Sequence, residues 1–173
     1  MMKLQYIILI IILTKSALFF SQDNFNISVH HDTKFFLTGD DRGNHAGTLD
    51  LMLKIEIPII RFKKSYIVAY PVFEHAKLNS GHLKRYAVGV GYIRQNLFIK
   101  KLNAGLLPNF GIIDRFRKTT TSFGMDFEIS YKLFRRFSLS YTHQIVERTD
   151  LKTKYNETRY IRPSSFIGFK LHF

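Results

Sequence analysis

The sequence predicts an all-β fold: an eight-stranded, up-and-down antiparallel β-barrel that crosses a membrane and is preceded by a signal peptide. Three observations support this prediction. An apolar run opens the 173-residue chain, eight later stretches alternate apolar and polar residues, and the breaks between these stretches alternate in length. Alternation with a period of two is typical of a strand whose two faces meet different environments.

Residues 1–22 form the predicted signal peptide, and residues 23–173 form the predicted barrel domain. Lys3 precedes a run of mostly Ile and Leu from Tyr6 to Thr14. A helix needs about 20 apolar residues to cross a bilayer. The uninterrupted run is about half that length, which is typical of an export signal. A helix that anchors the N-terminus is the alternative.

The predicted strands follow one another along the rest of the chain. They are the stretches 25–37, 48–59, 65–77, 83–94, 97–111, 122–133, 136–148 and 165–173. Alternation is clearest in 48–59 and is also clear in 122–133, where Phe123 and Phe127 share one face and Asp126 and Glu128 share the other. Most of these stretches are at least as long as the 9–11 residues or so that a tilted strand needs to cross hydrocarbon.

One face of these strands carries charges of both signs beside glycine and other small residues. The charges that would point into the barrel are Asp50, Lys54, Glu56, Arg85, Lys101, Asp126, Glu128, Lys132 and Lys170. An eight-stranded barrel has an interior just wide enough for its own side chains. We therefore expect a lumen filled by a network of paired charges. A soluble periplasmic barrel that binds lipid is the alternative, and it would reverse the two faces.

The breaks between the strands differ in length. The longer ones lie near 38–46, 78–82, 112–121 and 149–159, and the shorter ones near 61–64, 94–96 and 134–135. Bacterial membrane barrels have short turns on the periplasmic side and long loops outside. If the N-terminus of the barrel is periplasmic, every short break falls on that side and every longer loop falls outside.

Residues 25–173 resemble the small eight-stranded outer-membrane β-barrels of Gram-negative bacteria. The last strand alternates and ends in phenylalanine. Its residues Phe169, Leu171 and Phe173 are similar to the terminal pattern that the barrel assembly machinery recognises in that class. The resemblance implies an integral outer-membrane protein, structural or a subunit of an envelope protein complex, that contacts outer-membrane lipid and needs no cofactor.

The chain has 26 Lys and Arg against 13 Asp and Glu, and its formal net charge is +13. Because the chain is predicted to be exported, we expect no nucleic-acid partner. Instead, basic residues of the predicted external loops are expected to bind lipopolysaccharide phosphates through charge-assisted hydrogen bonds. The candidates are Lys84, Arg115, Arg117, Lys118, Lys152 and Lys154.

Catalytic and metal-binding motifs are not found in the sequence, which has no cysteine. His143 is the weak catalytic candidate, because it falls on the predicted lipid-facing side, where an imidazole needs a partner. Lipid A 3-O-deacylases, which are also barrels, place a serine two residues after such a histidine and an acid further on. Here the serine position is Ile145, and Glu157 is the candidate acid. We expect a non-enzymatic protein, with a deacylase-like hydrolase as the alternative.

Overall fold

The structure, a computed structural model, describes residues 25–155, 158 and 160–173. The predicted signal peptide lies outside these residues. The elements are β1 (Asn26–Asp32), α1 (Thr33–Leu37), β2 (Asp50–Arg61), β3 (Ser65–Leu78), β4 (Gly81–Arg94), β5 (Leu102–Arg115), β6 (Lys118–Phe134), β7 (Phe137–Glu147), α2 (Thr149–Tyr155) and β8 (Ile161–His172). In the described part of the chain, neither helix has the length and apolarity needed to cross a membrane.

The eight strands close into one barrel. Each strand pairs antiparallel with the next, and β8 pairs with β1. At this seam Asn26 lies opposite His172 and Asp32 lies opposite Phe166. Closure pairs the edge of every strand and leaves no row of free backbone groups. The predicted eight-stranded, up-and-down antiparallel barrel is confirmed.

Side chains alternate between the lumen and the outer wall along each strand. On β6, Asp126 and Glu128 are buried in the lumen, whereas Phe127 and Ile129 are exposed on the wall. Strands β2, β7 and β8 show the same arrangement, with the charged or small residues inside. The inward and outward faces are therefore those that the alternation predicts.

The barrel has two ends, which we name by the chain termini. The terminal rim holds both ends of the barrel chain and the connections 62–64, 95–101 and 135–136. The distal rim holds the connections 33–49, 79–80 and 116–117 and the segment between β7 and β8.

The predicted alternation of loop lengths is wrong at three connections. Strands β5 and β6 pair as far as Arg115 and Lys118, which leaves only Phe116 and Arg117 as a turn. Both turn residues have positive φ, as in the type I′ turns that fit strand twist. The β3–β4 connection is also a two-residue turn. Conversely, the break predicted at 94–96 continues to Lys101, because β5 begins at Leu102.

The first predicted strand, 25–37, ends early. The Asp32 side chain accepts a hydrogen bond from the Phe35 backbone N–H at 3.0 Å and caps α1. Capping of this kind starts a helix by satisfying a free N–H group. Helices α1 and α2 have five and seven residues. They are too short to show a helical hydrophobic period in the sequence.

Candidate functional site: the lumen, the outer wall and the two rims

A network of buried charges occupies the centre of the lumen. Lys54 Nζ donates to Glu128 Oε2 at 2.6 Å and lies 4.0 Å from Asp126 Oδ2. Lys170 Nζ donates to Glu56 Oε1 at 2.5 Å and also to Glu128. These five residues are at most 3 % exposed. Because an unpaired buried charge costs several kcal/mol, the two lysines and the carboxylates hold one another in place.

Arg85 lies at the centre of a second cluster of polar side chains, closer to β5. Its guanidinium donates to Ser122 Oγ at 3.0 Å and to Asn109, and it lies 3.9 Å from Glu74 Oε2. The sequence analysis missed Glu74 and Asn109. Apolar residues occur on both faces of β3, so its alternation does not show which face is inside. The signal that could have found Glu74 is its position opposite Arg85 in the β3–β4 pairing.

The structure places three other predicted lumen charges away from this centre. Asp50 is buried toward the distal rim. Lys132 is half-buried and lines the terminal cavity. The prediction for Lys101 is wrong: it is exposed in the connection 95–101, because β5 starts after it.

Apolar side chains complete the filling of the lumen. Met52, Val68, Tyr70, Leu107 and Phe166 pack together and are at most 1 % exposed. Cavities of about 640 Å³ and 490 Å³ lie at the distal and terminal ends. Between them the buried charges and this apolar cluster occupy the interior, so the barrel has the geometry of a plugged cylinder.

The outer wall is apolar along the middle of the strands. Exposed wall residues include Val88, Val90, Leu106, Phe110, Phe123, Phe127, Ile129, Leu139, Ile167, Phe169 and Leu171. Soluble monomers rarely expose continuous apolar surface beyond a few hundred Å². A soluble lipid-binding barrel needs a polar outer surface and an apolar cavity. This barrel has an apolar outer wall and a charged interior.

The end of the chain packs into the wall at the terminal rim. Phe173 stacks on Phe25 with ring centroids 4.7 Å apart, and its backbone N–H donates to Phe25 O at 3.0 Å. Phe169 and Leu171 face outward and are exposed. The last three alternating apolar residues thus lie on the outer surface, beside the β1–β8 seam.

His143 has a hydroxyl partner that the sequence analysis did not identify. Its Nδ1 lies 3.0 Å from Ser165 Oγ, and Tyr141 Oη lies 2.9 Å from the same Oγ. Ser165 is opposite His143 across β7 and β8, whereas Ile145 is opposite Pro163. Among the described residues, no carboxylate is hydrogen-bonded to His143, and the candidate acid Glu157 lies outside them. The contact satisfies three polar groups on the outer wall.

The predicted lipopolysaccharide contacts differ in exposure. The prediction for Arg115 is wrong, because this residue is buried and its Nη1 donates to Asp150 Oδ2 at 3.2 Å. Arg117, Lys118 and Lys84 are exposed at the distal rim. Lys152 is also exposed, and its Nζ lies 5.1 Å from the Tyr160 ring centroid. The Lys154 side chain lies outside the described part of the structure.

A small ion cluster, which we call the distal latch, joins α2 to the barrel. Arg148 donates to both carboxylate oxygens of Asp150 at 2.8 Å, and Arg115 donates to the same group. Burial raises the pKa of Asp150, but the hydrogen bonds and charges of Arg148 and Arg115 outweigh it and hold the pKa below its ordinary value. The latch is thus charged at neutral pH.

Carboxylates also line the distal cavity. Asp32, Asp50 and Glu74 face it together with the guanidinium of Arg148. Within the described residues, no three His, Asp or Glu side chains converge as a metal site would require.

Comparison with known proteins identifies the fold. No protein-family profile and no curated protein sequence matches the chain. Among solved structures, the outer-membrane protein Ail of Yersinia pestis, determined in a phospholipid bilayer nanodisc, is similar with a TM-score of 0.56 and 11% identity over 88% of this chain and 100% of that chain. Neisserial surface protein A is similar with a TM-score of 0.51 and 11% identity over 87% of this chain and 97% of that chain. This chain has the fold of the small eight-stranded outer-membrane barrels.

Proposed function

We propose that this chain, which has the fold of small outer-membrane barrels, is a non-enzymatic integral protein of the bacterial outer membrane. Residues 1–22 serve for export, and the terminal rim faces the periplasm. The proposal rests on one observation: the outer wall is apolar and exposed, while the lumen holds paired charges. This is the opposite of a soluble protein, which has its apolar residues inside. A membrane is the environment in which such a barrel buries its apolar surface.

The filled lumen supports a structural role or a place in an envelope complex over that of a nutrient channel. Vesicles that contain the purified protein are expected to release a trapped sugar no faster than empty vesicles, because the Lys54–Glu128–Lys170 network blocks the interior. Vesicles with a wide porin provide the positive control. Rapid release through the wild-type protein would refute a closed lumen.

We propose that the exposed cations of the distal rim bind lipopolysaccharide. Four of the six sequence candidates support this proposal: Lys84, Arg117, Lys118 and Lys152. Each cation near an anionic lipid surface contributes about 1 kcal/mol. The quadruple variant K84Q/R117Q/K118Q/K152Q is expected to bind lipopolysaccharide at least about tenfold more weakly.

The matched comparison is R117Q/K118Q against K34Q/K77Q, which removes two exposed cations that are not among the candidates. Lipopolysaccharide affinity of the two variants is compared with that of the wild type in detergent. An equal loss in both variants would mean that binding follows total charge, and it would reject the proposed site.

Recognition by the barrel assembly machinery is proposed for Phe169, Leu171 and Phe173. Support comes from their outward position on the last strand. Phe173→Ser is expected to refold in lipid vesicles but to accumulate less in the outer membrane of cells. Normal accumulation of this variant in cells would reject the proposed signal.

A lipid hydrolase is the second candidate, and one contact favours it: the Ser165 hydroxyl lies within hydrogen-bond reach of His143. Lipid A incubated with the wild-type protein is expected to keep its acyl chains in mass spectra. Acyl loss that disappears in both H143A and S165A would instead favour the hydrolase.

A further inference from the structure

The positive charge of the barrel domain is concentrated at the terminal rim. Three segments of this rim, 61–64, 94–101 and 132–136, form what we call the basic collar. They hold nine cations: Arg61, Lys63, Lys64, Arg94, Lys100, Lys101, Lys132, Arg135 and Arg136. The same segments contain no Asp or Glu. Beyond residue 22 the chain has 24 basic and 13 acidic residues, so the collar accounts for most of the surplus.

The distal rim is different, because its cations have acidic neighbours. Lys84 lies opposite Asp114 across β4 and β5. Arg115 and Arg148 are both bound to Asp150 in the distal latch. Neighbouring like charges repel unless an anion lies between them. The three segments of the collar therefore carry a net positive charge of their own, since none of their residues is acidic.

Each connection of the collar repeats one pattern, an exposed phenylalanine followed by two adjacent cations. Phe62 precedes the pair 63–64, Phe98 precedes 100–101 after one intervening residue, and Phe134 precedes 135–136. These phenylalanines are 55 %, 93 % and 72 % exposed. An aromatic ring is costly in water but suits the boundary between hydrocarbon and headgroups, where the adjacent cations reach phosphate.

Backbone hydrogen bonds hold the collar in one arrangement. Gln95 N–H donates to Lys64 O at 2.9 Å, which joins the first connection to the second. Lys132 N–H donates to Lys101 O at 3.0 Å, which joins the second connection to β6. Within the second connection, Lys101 N–H donates to Asn96 Oδ1 at 2.8 Å. The cations thus lie on adjacent, preformed turns rather than on independent flexible loops.

We infer that the basic collar binds the phosphate groups of anionic glycerophospholipids in the membrane leaflet that faces the terminal rim. This inference rests on the proposed function, because it requires the barrel to span a membrane. The exposed phenylalanines favour a lipid over a soluble polyanion, since none of these rings lines the terminal cavity and a soluble anion bound there would make no use of them. The lipid headgroups neutralise the collar, and the rings enter the boundary region of the same leaflet.

The test uses the folded mature protein in detergent, titrated with phosphatidylglycerol or phosphatidylcholine and followed by native mass spectrometry. The collar variant is K63Q/K64Q/K100Q/K101Q/R135Q/R136Q. The matched control for the double collar variant K100Q/K101Q is K34Q/K77Q, which removes two exposed cations of the distal half that lie outside the proposed lipopolysaccharide site. The wild type and the control are expected to bind phosphatidylglycerol at least about tenfold more tightly than phosphatidylcholine, and the collar variant is expected to lose this preference.

Several results would overturn the inference: no preference in the wild type, an equal loss in both variants, or displacement of phosphatidylglycerol by inorganic phosphate at equal phosphate concentration. The last result would assign the cations to a soluble anion in the terminal cavity.

Unheated and heated gels check that each variant is a folded barrel. If the sixfold collar variant fails to fold, the comparison of K100Q/K101Q with K34Q/K77Q decides. A wild type that does not insert into vesicles would refute the membrane proposal, whereas insertion without lipid preference would refute the collar alone.

Discussion

Glu128 is the residue on which the lumen network depends most. It binds both Lys54 and Lys170, one from β2 and the other from β8, and it is 3 % exposed. Its two oxygens therefore connect strands on different sides of the barrel. Removing the charge of one member of a buried ion group leaves the remaining charges without compensation.

We predict that Glu128→Gln lowers the free energy of unfolding by about 3 kcal/mol or more, because two buried lysines lose a charged partner. Urea unfolding of the protein in lipid vesicles, followed on unheated gels, measures the change. Asp41→Asn, at an exposed loop position, is the control and should unfold at the wild-type urea concentration. Equal stability of the two variants would show that the network contributes little.

Single residues of the site were predictable where the charges of a strand share one face and the opposite face is apolar. Lys54, Glu56, Asp126 and Glu128 come from two such strands, and the structure brings them together. Two other residues were not predictable from local pattern. Lys101 lies one position before β5 begins, and the buried Arg115 has its partners Asp150 and Ser80 in connections whose folding the alternation does not show. Strand ends and loop folding depend on tertiary contacts that alternation does not encode.

Helix α2 is an element that the latch holds against the barrel. Thr149–Tyr155 contacts the barrel through Asp150, which Arg148 and Arg115 bind, and through the buried side chain of Leu151. Because the folded pKa of Asp150 is below its ordinary value, the latch stabilises the docked helix at pH values above about 4. This contribution is lost as the pH falls below that value toward the lowered pKa.

We predict that Asp150→Asn frees α2 from the barrel at pH 7, because both arginines lose their anion. The chain has no cysteine, so a spin label on Thr153→Cys reports only this helix. Label mobility is expected to rise in Asp150→Asn at pH 7, and in the wild type only below about pH 4. The same label in an Asp41→Asn background should stay at wild-type mobility. A wild-type label that becomes mobile between pH 7 and 5 would contradict the latch.

The β1–β8 seam is the pair of elements that closes the barrel, and Gly168 allows the two strands to approach. A Cβ at this position would lie 2.0 Å from Val29 O and 2.6 Å from His30 Cα, both backbone atoms. A Cβ at Gly105 would lie 3.2 Å from Ile93 Cγ1, which is a side-chain atom and not part of the backbone. Closure therefore requires glycine at Gly168 more strictly than at Gly105.

We predict that Gly168→Ala destabilises the folded barrel by about 1–3 kcal/mol, because the backbone of the seam must shift. Gly105→Ala is the control, with a smaller effect. The fraction of protein that refolds in vesicles, read from unheated gels, distinguishes the two. Equal refolding of both variants would show that the seam tolerates a side chain.

The order of the elements was largely predictable, whereas the connections were not. Eight strands follow from alternation in segments such as 48–59 and 122–133, where both the pattern and the length are clear. The turn Phe116–Arg117 was hidden, because polar residues such as Thr119 and Thr121 extend β6 beyond the apolar wall. A polar strand end resembles a loop in the sequence, since hydrophobic alternation stops where the apolar wall ends.

For the whole molecule, the distribution of charge adds to what the fold shows. Paired charges fill the lumen, mixed charges lie at the distal rim, and the collar at the terminal rim is purely basic. The net charge of the chain does not show where the charges lie. Locating them requires knowing which turn belongs to which rim. The sequence analysis placed the basic surplus in the external loops, whereas most of it lies at the opposite end.

The most direct measurement is gel electrophoresis of the outer-membrane fraction, with and without heating of the sample. A closed barrel with apolar walls is expected in this fraction, and it should migrate faster before heating than after it, because the hydrogen-bonded cylinder stays folded until heated. Recovery of the chain in the soluble periplasmic fraction, with identical migration in both samples, would contradict a membrane-spanning barrel.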